Sequence, residues 1–199
     1  DRANPEGNDV TMCTHVRPSG FVLGLQSQLP PVKGEQWSAL RAADFEGRMN
    51  MVRDPHRSAA LVAEARKQRR FSLLMRRAYY MGDGAQPDYS KHRRENLAAM
   101  ARQAGEHWSE TFFRLARETN GKALFTLRLF SSNMPALAHL IRNPKVLPGL
   151  GDAGAHVSQI MDAGWSTFML SHWVRKAGVF SMEEAVRRMT SASARVMGL

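Results

Sequence analysis

The sequence predicts an α/β fold built on a parallel sheet. Short apolar runs containing β-branched residues alternate with longer stretches of helical periodicity. The helical stretches carry capping and stop residues at their ends. The first and last apolar runs, "DVTMCTHV" (Asp9 to Val16) and "KVLPGLGD" (Lys145 to Asp152), each end in a turn bearing polar residues. Ligands of such folds meet the carboxyl ends of the strands.

The elements follow in order. "DVTMCTHV" reads as a buried strand that "RPSG" (Arg17 to Gly20) ends. "FVLGLQSQLPPVKG" reads as loop with some extended character, because Pro30-Pro31 bars helix. "EQWSALRAADFEGRMNMV" suggests one or two short helices. "RDPHRSAALVAEARKQRR" is a strong helix, capped by Asp54 with Pro55 at its first position, and Leu61, Ala65 and Gln68 share a face. "FSLLMRRAYY" (Phe71 to Tyr80) reads as a strand and "MGDGAQPDY" as a turn-rich connector.

Ser90 is the expected cap of the next helix and Gly105 its stop. A further helix is expected from Ser109 to Asn120-Gly121, and "KALFTLRL" is strand-like. "NMPALAHLIRN" is a short helix opening near Asn133. "DAGWSTFMLSHWVRKAG" is an amphipathic helix ending at Gly178. The last segment opens with a capping box, Ser181 with Glu184 three residues on.

The chain has 199 residues, 43% hydrophobic and 23% charged, which is a globular composition. Charges interrupt every apolar run, so no membrane span is expected. The polar N-terminus reads as neither a signal nor a transit peptide, and the single Cys13 fits a reducing cytosol; a cytoplasmic location is expected. The net charge of +10 raises a nucleic-acid reading. Its one dense run is "RKQRR" (Arg66 to Arg70), with no aromatic-basic motif beside it, so the charge reads as solvated helix faces. Both ends fall close to predicted elements, which suggests a segment of something longer.

Chemistry concentrates at the two strand ends. Asp152 sits among Gly149, Gly151 and Gly154, either as a turn former or as a carboxylate presented for metal binding or proton transfer. His156 could orient that carboxylate, bind substrate or cap the helical region. Cys13 and His15 share one face of their strand, but two residues do not make a zinc site. Arg17 could hold a carboxylate bidentately or stand exposed in a loop. His172, with Trp165, Phe168, Met169 and Trp173, reads as a core stripe. No Walker loop, GxGxxG fingerprint, HExxH, GxSxG or CxxC pair is read in the sequence.

From Gly149 onward the chain resembles the closing part of the barrel in N-acyl-D-amino-acid deacylases, of the amidohydrolase 3 group of metal-dependent amidohydrolases. The resemblance rests on the Gly-Asp turn with a following His, Thr167, "HWVR" (His172 to Arg175), "EEAVRRMT" and the closing "ARVMGL". "DVTMCTHVRPSGFVLGL" is similar to the penultimate barrel strand and "RDPHRSAALVAEA" to a helix of the insertion after it. The family usually has Ser before the Asp and Gly after it, where this chain has Gly151 and Ala153.

The resemblance implies a partial TIM (β/α)₈ barrel. Residues 1–199 would be its C-terminal part: the last two strands, a helical insertion at about 30–130 and no separate second domain. It implies that Asp152 is both metal ligand and proton shuttle, with His15, Arg17 and His156 near the substrate. It implies zinc, whose other donors (a His-x-His, a Cys, modified Lys or Glu, and two further His) belong to earlier strands without counterpart here. The expected substrate is an N-acyl-D-amino acid, cleaved to a carboxylic acid and a D-amino acid. The isolated chain is expected to be inactive, and to associate with the rest of its barrel or with itself. The alternatives are cyclic amide hydrolysis, deamination, or a non-catalytic basic module binding nucleic acid.

Overall fold

The computed structural model describes residues 10–149, 151, 160 and 163–199, and of Arg93 the backbone alone. The fold is mixed α/β, with two small sheets and no closed barrel among the described residues. Its strands are β1 (Met12–Thr14), β2 (Ser19–Gly24), β3 (Ala78–Tyr80), β4 (Leu124–Phe130) and β5 (Val146–Pro148). Strands β1 and β5 pair in parallel, Met12 opposite Val146, Cys13 opposite Leu147 and Thr14 opposite Pro148. The other three form an antiparallel sheet in the order β2-β4-β3.

Strand β2 occupies a stretch that reads as loop in the sequence. The prolines that suggest a loop, Pro30 and Pro31, lie beyond the strand, which contains Gly20 and Gly24. These two glycines are required by the close approach of β4: a Cβ on Gly20 would lie 1.8 Å from the Leu127 carbonyl oxygen, and one on Gly24 2.6 Å from that of Ala123.

Between β2 and β3 run α1 (Glu35–Ala42), α2 (Phe45–Arg53), α3 (Pro55–Arg66) and α4 (Arg69–Leu74). Asp54 caps α3 as expected, its Oδ1 accepting from the Arg57 N–H at 2.8 Å, with Pro55 in the first turn. Phe71 to Tyr80 is not one strand. It is the end of α4, a 3₁₀ turn (Met75–Arg77) and only then β3. The buried Met75 and Ala78, with the partly buried Phe71 and Leu74, repeat at three to four residues, a helical spacing rather than an alternating one.

After β3 come α5 (Leu97–Gln103) and α6 (Trp108–Glu118). The cap of α5 is Asn96, whose Oδ1 accepts from Ala99, and not Ser90, which a turn holds against Asp88. His107, not Ser109, caps α6, in a capping box with Glu110. Helix α7 (Met134–Arg142) starts at Asn133 as read from the sequence and leads into β5. The order β1, insertion, α7, β5 is therefore a parallel β-α-β connection interrupted after its first strand.

Beyond β5 a short α8 (Trp165–Phe168) continues as a π-helical segment, Met169–Lys176, where Ala177 N–H reaches back five residues to the His172 carbonyl at 2.7 Å. Then come α9 (Met182–Met189) and α10 (Ser191–Val196). Only half of the expected capping box forms: Ser181 Oγ accepts from Glu184 N–H, but the Glu184 carboxylate turns to Arg187 and Arg188.

Among the described residues two hydrophobic cores follow from this division. The larger lies within the insertion and gathers Trp37, Leu61, Phe112, Phe113 and Phe125. The smaller joins Val16, Leu137, Ile141, Met169, Trp173 and Ala185, beside the parallel strands. Trp173 locks it: the indole N–H donates to the Val16 carbonyl at 2.6 Å, across 157 residues of chain. Trp173→Phe keeps most of the apolar volume and orphans that carbonyl, so the expected loss is about 1–3 kcal/mol, read from the urea midpoint. A loss below about 0.5 kcal/mol would show that the bond does not hold the segment.

Candidate active site

The parallel pair aligns its two carboxyl ends. Gly149 N–H donates to the Thr14 carbonyl at 3.0 Å, so the chain leaving β5 runs beside the chain leaving β1. His15 and Arg17 follow β1, and Asp152 follows Gly151 after β5. Asp152 and His156 themselves lie outside the described residues. Cys13 is exposed, and its Sγ lies 3.7 Å from where a Cβ on Gly149 would sit, so the thiol borders the same turn.

His15 is half-buried and stacks on Phe130, ring centroids 6.2 Å apart and planes at 7°. Arg17 is not an exposed loop arginine. It is 4% exposed, and its guanidinium carbon lies 3.7 Å from the centre of the Tyr89 ring, a cation–π stack. Tyr89 comes from the turn-rich connector, far along the chain from Arg17. The polar surface at the strand ends thus draws on the insertion as well as on the strands.

A short strap, residues 88–91, delivers that tyrosine. Asp88 Oδ1 accepts from both the Ser90 N–H (2.8 Å) and the Ser90 hydroxyl (2.6 Å), an Asx turn. Arg128 braces the strap from β4, donating to the carbonyls of Lys91 (2.8 Å) and Tyr89 (3.0 Å). On the other side Lys176 Nζ, at the end of the π-helical segment, donates to Ser90 Oγ at 3.0 Å.

The electrostatics match this closure. Burial raises the Asp88 carboxyl, but the two Ser90 bonds and the nearby Lys176 and Lys91 outweigh it and hold it below its ordinary value. His172 is lowered, first by burial and then by Lys176, with Asp88 opposing. Its ring stacks on Phe168 at 4.7 Å and meets Trp173 edge-on, so the core-stripe reading holds, with His172 at the polar margin of the stripe. Met169 and Trp173 are the fully buried members.

Among the described residues no three His, Cys, Asp or Glu side chains converge to hold a metal ion. The described residues alone therefore do not form a zinc centre. Contrary to the reading that no such fingerprint is present, residues 149–154 have the G-x-G-x-x-G spacing of dinucleotide-binding turns. The acidic residue that such a turn needs about 20 positions on is missing, since the next carboxylates after Asp162 are Glu183 and Glu184. In the basic run Arg66 to Arg70, Arg66 closes α3 and pairs with Glu110 at 2.7 Å, whereas Arg69 and Arg70 open α4. No described helix is long and apolar enough to cross a membrane.

Sequence reasoning brings His15, Arg17 and the Asp152 turn to one edge but misses Tyr89, Asp88 and Lys176. The Asp-x-Ser of the Asx turn is a local signal for the shape of the strap. Nothing local shows that the strap lies on Arg17. Comparisons with family models, curated proteins and solved structures each found no match to the chain.

Proposed function

We propose that this chain is part of a metal-dependent amidohydrolase barrel, and that the protein hydrolyses the amide bond of N-acyl-D-amino acids to a carboxylic acid and a D-amino acid. The observation that carries the reading is the parallel pairing of β1 with β5. They are the two strands that the resemblance makes neighbours, and their carboxyl ends share one edge. A barrel of this kind places reacting groups there. The helix before β5 and the helices after it fit the same order.

The reading implies zinc, which when bound polarises the amide carbonyl and activates water. The chain's own groups have separate tasks. Asp152, ionised, accepts the proton of the attacking water and returns it to the departing amine. In this reading Arg17, held flat by Tyr89, contacts the substrate carboxylate together with His15, and His156 of the following turn is a further substrate contact. The insertion that supplies Tyr89 thereby shapes specificity.

The test is zinc-dependent release of D-amino acid from N-acetyl-D-amino acids by the gene product containing this chain, with the L-isomers as control. No release from any D-substrate sinks the proposal. Arg17→Lys keeps the charge and loses the planar stack on Tyr89. The expected result is KM raised about tenfold with kcat within about twofold, the mark of lost ground-state binding. Unchanged steady-state constants would make Arg17 only a brace for the strap.

A further inference from the structure

The insertion contains a second concave site, away from the strand ends. A cavity of 730 Å³ is lined by Arg76, Arg77, Arg94, Arg102, Arg128 and Tyr79. That volume suits a small organic ligand. Among the described residues no carboxylate lines it, and none of these five arginines makes an ion pair.

The arginines come from separate elements. Arg76 and Arg77 lie on the 3₁₀ turn before β3, Arg94 on the 3₁₀ turn before α5, Arg102 on α5 and Arg128 on β4. Solvated helix faces spread like charges outward, whereas here the fold converges them on one hollow. Arg128 is the sharpest member. It is 0% exposed, lies 3.6 Å over the Tyr79 ring, and spends its two terminal nitrogens on the strap carbonyls. Its Nε–H has no hydrogen-bond partner among the described residues. Its buried, fixed positive charge adds to the potential of the hollow. A bound anion would relieve the repulsion among the four exposed arginines, Arg76, Arg77, Arg94 and Arg102, above it.

We infer that this arginine-lined cavity binds a small, multiply charged phosphorylated molecule through its phosphate groups. Guanidinium forks match phosphate oxygens in pairs. Tyr79 is buried beneath Arg128, which leaves no exposed aromatic ring in the lining on which a base could stack. The lining therefore recognises the phosphates and not a nucleobase, and its hollow shape suits a compact ligand better than a nucleic-acid strand. The inference is independent of amide hydrolysis.

The experiment is thermal unfolding of the chain titrated with pyrophosphate at constant ionic strength, with chloride as the balancing anion. AMP, ATP and a 12-mer single-stranded DNA form separate arms. Expected is a saturable rise in Tm with pyrophosphate, since a ligand that binds only the folded chain stabilises it. ATP should act at least as strongly as AMP. Arg76→Gln and Arg102→Gln, both at exposed positions, should leave the ligand-free Tm in place and weaken pyrophosphate binding at least about tenfold each. A pyrophosphate response that does not saturate, or one equal in both variants, overturns the inference. So does binding of the DNA without binding of pyrophosphate.

Discussion

Asp152→Asn is expected to lower kcat for amide hydrolysis about 100- to 10,000-fold, the range that a positioned general acid–base group contributes. The substitution separates the two explanations of this residue. Asparagine is nearly as good a turn former as aspartate, so a carboxylate serving only the glycine-rich turn can be replaced without loss. An amide cannot take the proton from water or carry negative charge beside a cation, so a chemical role cannot survive the change. Steady-state kinetics with matched zinc content is the measurement, because the residue is also proposed as a metal donor. Zinc retained with kcat lost assigns the proton step to Asp152. Zinc retained with kcat unchanged ends the assignment and leaves the turn as the explanation.

Arg188→Met is expected to destabilise the fold by about 3–5 kcal/mol, the cost of breaking a buried, hydrogen-bonded charge. Arg188 is 5% exposed. Its Nη1 donates to the carbonyls of Ile141 (2.8 Å), Asn143 (3.0 Å) and Val146 (3.3 Å), and its Nη2 to that of Arg142 (3.2 Å). Those carbonyls form the carboxyl end of α7 and the start of β5, where a cation meets both the orphan acceptors and the helix dipole. Methionine fills the space and donates nothing. The urea midpoint reads the loss, and Arg188→Lys should fall between the two because it keeps charge without the fork. A loss below about 1 kcal/mol would mean that water replaces the guanidinium at all four carbonyls.

The same cluster sets an acid limit. Hydrogen bonds from Arg187 and Arg188 lower Glu184 to about 2 from 4.5. A depressed carboxylate stabilises the fold fully above its unfolded value, and that stability drains as pH falls through the folded value. Wild-type stability should therefore decline between pH 4.5 and about 2. Arg188→Met should flatten that decline as it removes one of the two partners.

The sequence alone was legible wherever the signal was short in range. Asp54-Pro55 opens α3, Asn133 opens α7, Ser181 opens α9, and Gly105 and Gly178 stop their helices, because each cap is a contact between residues a few positions apart. The apolar runs of β1, β4 and β5 were equally plain. Misreadings arose where two local signals competed: Ser90 stands ahead of Asn96, the true cap of α5, and Ser109 lies just inside the helix that His107 opens in a capping box with Glu110.

What the sequence by itself determined is a set of helices with their ends, two apolar strands whose carboxyl turns carry Asp152 and Arg17, and a basic composition. Only the tertiary structure decided that β1 and β5 lie in parallel, that Gly20 and Gly24 belong to a strand, that Tyr89 covers Arg17, and that five scattered arginines face one hollow. The reason is the range of the forces. Capping and periodicity act within a turn or two of chain, whereas burial and strand pairing bring together residues with no local trace of each other, as when Trp173 meets Val16 across 157 positions.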